Sequence, residues 1–412
     1  MTRLAVLGGS AVSTPQLSSA VSGAGLIDLE LALAGRSAEK LHLVAEACRR
    51  SADDRLEVTE HTDIEAALDG AELILCQVRI GGLEGRAFDE RYPHEFEIPG
   101  EETVGPGGFS LAWRTLPALR GLFETCRRVA PGAVLLNLTN PAGMVHRLAS
   151  RYLRTITMCD APIVLAQKVA ALVGADPPSA TPHYVGLNHC GWITALEADG
   201  ADVLPEALAR SHELEQLTGV DADIIEAFGA VPNPYLRYLH HPERQLASQR
   251  ERGRSRAEEL VELEGEALGA FAEGADAATV AARRPAPWYA ECVVPLVRAI
   301  ALGESTRTIV DMTNDGMLPF LPDTATIEVS AEVVGGEVRP LPLSADLPPD
   351  ARAILSAVAA FDVLATDAIL AGDRTGCVRA LATHPLVPSV DVARDLATRV
   401  EARFGPLEEG SP

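Results

Sequence analysis

The feature that most constrains this chain is the punctuation of its first 165 residues, where short, nearly continuous apolar runs alternate with segments of helical spacing. Runs at residues 4–7, 26–34, 56–59, 73–78, 133–138 and 156–158 read as strands, and residues 14–21, 38–50, 63–68 and 111–129 as helices. Strands without polar alternation are buried on both faces, which calls for helices on either side of a parallel sheet. The expected fold is therefore α/β, a Rossmann-like doubly wound parallel sheet over residues 1–165. Past residue 161 helical stretches at 163–173, 221–228, 258–273 and 290–302 mix with strands near 183–186 and 326–338. Residues 166–412 are accordingly expected to form a C-terminal α+β substrate domain.

Charge and composition narrow the function. Lys and Arg number 35 against 58 Asp and Glu, a formal charge of −23, whereas binding to nucleic-acid phosphates needs a basic surface. No nucleic-acid partner is expected, and an anionic substrate would need a locally basic pocket. With 47% hydrophobic residues the chain can bury a sizeable core. No run of about 18 apolar residues suggests a membrane span. The start, MTRLAVLGGS, reads as a buried strand meeting a turn, not as a secretory signal. Seven dispersed cysteines read as reduced thiols, so a cytoplasmic location is expected. The arginines between Arg244 and Arg256 and the glutamates that follow read as a solvated face, and LEEGSP as a frayed tail.

Several segments carry chemistry-bearing residues. Gly8-Gly9-Ser10 lies between the first strand and a helix, where glycines admit a pyrophosphate onto helix-start amides; an ordinary turn is the alternative, since the full G-x-G-x-x-G spacing is absent. The second strand ends Ala34-Gly35-Arg36-Ser37, with no acid for a ribose 2′-hydroxyl. Arg36 either faces a 2′-phosphate, which keeps NADP open beside NAD, or is a surface arginine. Residues 77–117 read as a long loop, uncommon unless it works as a lid or binding element. Its Arg79 and Arg86 suit a phosphate or carboxylate ligand, or pair with Asp89, Glu90 or Glu101. Asn137 to Pro141 closes another strand and places amides at the same edge. Cys159-Asp160 follows a strand and His189 lies thirty residues on, a spacing commoner for core residues than for metal ligands.

Together these segments resemble glycoside hydrolase family 4, the NAD- and metal-dependent glycosidases, and within it the 6-phospho-β-glucosidase-like branch. The resemblance spans nearly the whole chain: the GGS turn with Thr14-Pro15, QVRIGGLEGR, GPGGF, NPAG, Cys159 followed by Pro162, GLNH, VPNPYLRY, RRPAPWY and TNDGMLPFLPD. It implies a hydrolysis outside the usual two-carboxylate scheme. A nicotinamide takes hydride from carbon 3 of the sugar, a divalent metal, usually manganese, acidifies carbon 2, and the aglycone leaves before water adds and hydride returns. The resemblance makes Cys159 and His189 metal ligands, Tyr238 the base and Asp160 a candidate general acid. Tyr235 and Tyr289 are further tyrosine candidates. Gly8, Gly9, Ser10, Arg36 and Asn137 are candidates for the dinucleotide, and Arg79, Arg86 and Arg284 for a 6-phosphate. Asn140 and Asn188 would hold sugar hydroxyls. A phosphorylated glycoside is the implied substrate, and a homodimer or homotetramer the implied assembly. Two departures stand out: Cys159-Asp160 is similar to the 6-phospho-α-glucosidases, whose β counterparts have Cys-Asn, and the acid after the second strand is missing.

Two other functions fit part of the sequence. A dehydrogenase of a sugar or hydroxy acid would share the fold and the NPAG strand end, would produce NADH stoichiometrically and would need no metal. A sugar-phosphate or nucleotide sensor would bind without turnover. Cys159, His189 and Tyr238 standing together favour the hydrolase.

Overall fold

The computed structural model describes residues 1–26, 28–343 and 347–408. Six parallel strands open the chain: β1 (Thr2–Leu7), β2 (Leu29–Ala34), β3 (Glu57–His61), β4 (Leu73–Cys76), β5 (Val134–Asn137) and β6 (Arg154–Thr157). Their order is β3-β2-β1-β4-β5-β6, the doubly wound arrangement, with its switch point between β1 and β4. Helices α1 (Thr14–Gly23), α2 (Ala38–Arg50), α3 (Ile64–Leu68), α4 (Gly82–Arg91), α5 (Gly105–Val129), α6 (Ala142–Ala149) and α7 (Asp160–Leu172) follow in chain order. The register is nearly flush, with Leu7 opposite both Ala34 and Cys76, Cys76 opposite Asn137, and Asn137 opposite Thr157. The chain therefore leaves Gly8, Gly35, Gln77, Leu138 and Met158 side by side along one edge, where ligands of open α/β sheets bind.

The sheet does not stop at β6. Later strands β7 (Thr181–Leu187), β8 (Cys190–Ala198), β9 (Ala201–Asp202), β10 (Val231–Pro232), β11 (Ser305–Thr313), β12 (Thr326–Val334) and β13 (Glu337–Pro340) extend it antiparallel, with Asp311 of β11 opposite Thr157 of β6. The described residues thus form one thirteen-stranded sheet. Its parallel part is covered on one face by a cluster including Leu17, Val44, Phe271 and Leu296, and on the other by one including Phe109, Trp113, Phe123 and Phe361. A third cluster, with Tyr184, Trp192 and Leu355, lies under the antiparallel part. Each such side chain contributes roughly 1.5–3 kcal/mol on burial.

Three expectations are revised. The second strand starts at Leu29 instead of residue 26, and residue 27 lies outside the described residues. The stretch 77–117 is not a loop: α4, a short 3₁₀ turn (Tyr92–Phe96) and the first half of α5 fill most of it. Its glycines make room for packing instead. A Cβ at Gly81 or Gly85 would lie 2.6 or 3.0 Å from the Arg114 guanidine nitrogen Nε, and Arg114 reaches past them to Asp89 at 2.8 and 2.6 Å. Finally, among the described residues one helix, Pro349–Ala371, is long and apolar enough by length and composition to cross a bilayer. Here it packs Leu355, Phe361, Ala365 and Ile369 into the core.

The other expectations on composition read out simply. All seven cysteines are free, and only Cys159 is not fully buried. Arg244, Arg250, Arg254 and Arg256 form exposed ion pairs with Asp221, Glu97, Glu262 and Glu259. Of the tail LEEGSP, the last four residues lie outside the described residues.

Candidate functional site

A cavity of about 920 Å³ opens along the carboxyl edge of the parallel strands. At one end are Gly8, Ser10, Gly35, Arg36 and Lys40; at the other are Asn140, Cys159 and Asp160, with Arg79, Arg86 and Arg284 along one side. The GGS turn is shaped for a close approach. Gly8 has φ +85°, and a Cβ on Gly9 would lie 2.9 Å from Leu33 Cα, so β1 turns tightly over β2. Gly9 itself does not line the cavity; Gly8 and Ser10 do.

Cys159 caps the start of α7 and His189 sits in the turn between β7 and β8. Thirty residues apart in sequence, their Sγ and Nε2 atoms lie 3.4 Å apart. His189 has φ +63°, an uncommon conformation for a residue with a side chain, and its imidazole is buried. On its far side Nδ1 lies 2.7 Å from Thr103 Oγ1. The Thr103 hydroxyl and amide both donate to Glu101 Oε2, each at 2.5 Å. With its hydrogen directed to Glu101, the Thr103 oxygen accepts from His189 Nδ1–H, which leaves the Nε2 lone pair facing Cys159. Tyr235 stacks on the imidazole at 3.7 Å between ring centroids.

Burial lowers the His189 pKa to about 4, against the nearby Glu102 carboxylate, so the ring is neutral. Burial also raises the Cys159 thiol well above its ordinary value, with Glu328 and Asp160 adding to the effect. A neutral imidazole and a thiol aimed at one point are a ligand pair, and 3.4 Å is a separation that two atoms each about 2.0–2.3 Å from one ion can have. The residues therefore fit a divalent metal whose remaining positions face the cavity. The trio His42, Glu46 and Glu60 is also spaced for a metal, but it lies on the surface and Arg49 pairs with both acids, at 2.5 and 2.9 Å.

The three arginines converge with different partners. Arg86 is held between Glu90 (2.6 Å) and Glu102 (2.7 Å), and Arg79 also pairs with Glu102. Burial pushes Glu102 up, but Arg79 and Arg86 outweigh it and hold the carboxyl below its usual range. Burial with the Glu102 charge beside it raises Glu101 to about 7. Arg284 makes no ion pair among the described residues, and burial together with Arg79 and Arg86 lowers its pKa.

Other candidates are placed less directly. Asp160 lines the cavity, and burial raises its carboxyl against its own backbone amide. Asn140 lines the cavity as well, while Asn188 donates to Glu328 Oε1 at 3.2 Å from a small chamber behind His189. Asn137 is fully buried and bonds the backbone of Thr139 in both directions at 3.1 Å, which makes it a turn-former off the cavity wall. Tyr238 stands one ring beyond Tyr235, at 6.3 Å between centroids, and lines neither cavity nor chamber. Burial and Glu101 raise its phenol, and Arg237 opposes them.

Sequence reasoning passed over Thr103, Glu102 and Gln77, and took Glu101 only as a possible partner of Arg79 or Arg86, whose partners are Glu90 and Glu102. Gln77 links the halves of the cavity: its Oε1 accepts from Tyr289 Oη at 2.8 Å and its Nε2 bonds Thr14 Oγ1 at 3.1 Å. Tyr289 opens a π-helical turn (Tyr289–Val293), a local widening frequent at functional sites. The GEETVG string was the available signal, because acids flanking a threonine in a glycine-bounded turn are suited to positioning a ligand.

The likenesses to known proteins agree with this geometry. Residues 4–175 match the model of the family 4 glycosyl hydrolases, and residues 184–387 match that family's C-terminal domain. The chain is 28% identical to the 6-phospho-beta-glucosidase BglT of Thermotoga maritima, over 97% of each chain. It is 26% identical to the maltose-6′-phosphate glucosidase of Bacillus subtilis, over 93% of this chain and 91% of that one. Among solved structures, the Thermotoga maritima 6-phospho-beta glucosidase with manganese, NAD+ and glucose-6-phosphate superposes with a TM-score of 0.91 at 26% identity, covering both chains completely. A lactate dehydrogenase from a deep-sea metagenome shares only the fold, with a TM-score of 0.57 at 13% identity over 89% of this chain and 98% of that one. With both family models matched across most of its length, the chain belongs to family 4 of the glycosyl hydrolases.

Proposed function

We propose that this chain hydrolyses 6-phospho-β-glucosides, using a nicotinamide dinucleotide and a divalent metal, manganese by the pattern of its relatives. The observation that carries this is the convergence, in one cavity, of the GGS turn at one end and the Cys159–His189 pair at the other. When bound, the dinucleotide supplies a hydride acceptor and donor, and the metal a Lewis acid for sugar oxygens.

The chain's own residues do the rest. Cys159 and His189 hold the metal, and the Glu101–Thr103 relay keeps His189 in the tautomer that presents Nε2. Arg284, with Arg79 and Arg86 behind it, gives the overall acidic chain a basic wall for the 6-phosphate. Asn140 faces the sugar hydroxyls, and Tyr289 and Gln77 close the wall between the two ends of the cavity. Asp160, protonated more readily than an exposed aspartate because it is buried, is in this reading the donor to the leaving oxygen. Tyr238 takes the sugar proton at its phenolic oxygen. Burial and Glu101 raise its phenol, so it would act as a base only with more cationic charge beside it than Arg237 supplies.

The test is release of nitrophenol from 6-phosphorylated and unphosphorylated α- and β-glucosides, with and without dinucleotide and manganese, under reducing conditions. Turnover of the β-6-phosphate that needs both additions, without net NADH, is expected. Preference for the α-anomer would assign the chain to the α-branch that Asp160 resembles. NADH accumulating on a polyol or hydroxy acid with no nitrophenol released would replace the hydrolase with a dehydrogenase.

A further inference from the structure

We propose that the dinucleotide this chain takes in preference is the 2′-phosphorylated form, NADP, selected by Arg36. The inference rests on the assignment of the cavity to a dinucleotide and concerns its adenosine end.

In a doubly wound sheet the ribose 2′-hydroxyl is gripped by an acid at the end of the second strand, about 20 residues beyond the glycine turn. Here β2 ends at Ala34, level with Leu7 at the end of β1. The next residue, where the acid belongs, is Gly35. The space there is also closed: a Cβ on Gly35 would lie 3.1 Å from both Cβ and Oγ of Ser10 and 3.2 Å from Leu41 Cδ1. A side chain where a hydroxyl-binding carboxylate would start would thus press on Ser10 and Leu41.

Charges around that end point the same way. Arg36 and Lys40 line the cavity beside Gly35. Glu264, which reaches across from the helix Arg256–Ala272, is the carboxylate that lines this end, and Lys40 Nζ holds it at 2.5 Å. Glu60 is turned away to Arg49 at 2.9 Å. Arg36 is exposed to solvent and has no hydrogen bond or ion pair among the described residues. Beside a 2′-hydroxyl this leaves a free guanidinium and no carboxylate without a partner. Beside a 2′-phosphate it supplies a planar, permanently charged fork matched to the ligand's oxygens. In a chain of net charge −23, such a local cation offsets the general repulsion of a second phosphate.

The test is equilibrium binding of NAD+ and NADP+ to the full chain, read by calorimetry and by fluorescence of Trp288, which lines the cavity. NADP+ should bind at least about tenfold tighter, the factor that one charge-assisted hydrogen bond carries. Likewise 2′,5′-ADP should compete better than 5′-AMP. Arg36→Ala should bring the two dinucleotides to near parity, and Arg36→Lys should retain part of the preference, because it keeps the charge and loses the fork. NAD+ binding as tightly as NADP+, or a preference that survives Arg36→Ala, overturns the inference and leaves the glycosidase assignment standing. Failure of both dinucleotides to bind overturns the assignment of the cavity itself.

Discussion

Replacing Thr103 by valine tests whether the metal site is built from behind as well as in front. The two side chains have nearly the same shape, so the change removes a hydroxyl and little else. That hydroxyl accepts from His189 Nδ1 at 2.7 Å while donating to Glu101 at 2.5 Å. Without it a buried N–H loses its partner, at a cost of about 1–3 kcal/mol. Glu101 keeps the Thr103 backbone amide, so the turn itself should hold. Imidazole ligands released from such partners typically lose 10–100-fold in metal affinity, or about 1.4–2.7 kcal/mol. The assay is titration of metal-free protein with Mn²⁺, reading free aqueous Mn²⁺ by electron paramagnetic resonance, with dinucleotide binding as the check on folding. Thr103→Val should weaken Mn²⁺ binding by about 10–100-fold, whereas Thr103→Ser, which keeps the oxygen, should stay within about threefold of the unsubstituted chain. If the two variants bind Mn²⁺ equally, Thr103 does not position His189 and the relay argument fails.

Two further predictions concern pH. Apparent Mn²⁺ affinity should rise about tenfold per unit between about pH 6 and 8, because binding displaces the Cys159 thiol proton while His189, with a pKa of about 4, is already neutral; a flat profile in the same titration would place the thiolate elsewhere. Asp311 is buried with both carboxyl oxygens unpartnered, directly opposite Glu328 on the neighbouring strand. Burial, with Glu328 and Asp362 adding, raises its pKa well above the ordinary value, so the unfolded chain loses this proton first and stability falls as pH rises. Asp311→Asn should therefore stabilise the fold more at pH 8.5 than at pH 5, by up to about 1.4 kcal/mol for each pH unit between the unfolded and folded pKa values, and a thermal-unfolding advantage independent of pH would refute it.

What could be read from the sequence follows the range of the interactions involved. The parallel strands announce themselves locally, since burial on both faces leaves no polar alternation, and β2, β4 and β5 stand out for that reason. The GGS turn is legible from its place between a strand and a helix start, although the backbone it makes room for lies on other strands, at Gln77 and Val78 for Gly8 and at Leu33 and Ala34 for Gly9. Residues 77–117 misled because glycine and proline there open packing space for Arg114 and begin α5, jobs whose cause lies in other elements. Asn137 misled in a similar way: an asparagine at a strand end is a plausible ligand until its amide is found bonding Thr139 in both directions.

The metal pair marks the boundary between the two kinds of information. Apart from the resemblance carried by Cys159 with Pro162 and by GLNH, nothing near Cys159 or His189 names either as a ligand, and their thirty-residue separation is uninformative without a fold. They meet because β6 delivers Cys159 to the sheet edge, while β12, seated between β7 and β11, brings the β7–β8 turn back to the same edge. The left-handed backbone at His189 then swings the imidazole inward, where Tyr235 and Thr103 hold it. A site assembled by strand order in this way should tolerate changes in the residues that merely flank it. It should be sensitive to those that set register and tautomer, and for that reason Thr103, which does not line the main cavity, is the sharper probe of the metal site than any residue on the open face of the cavity.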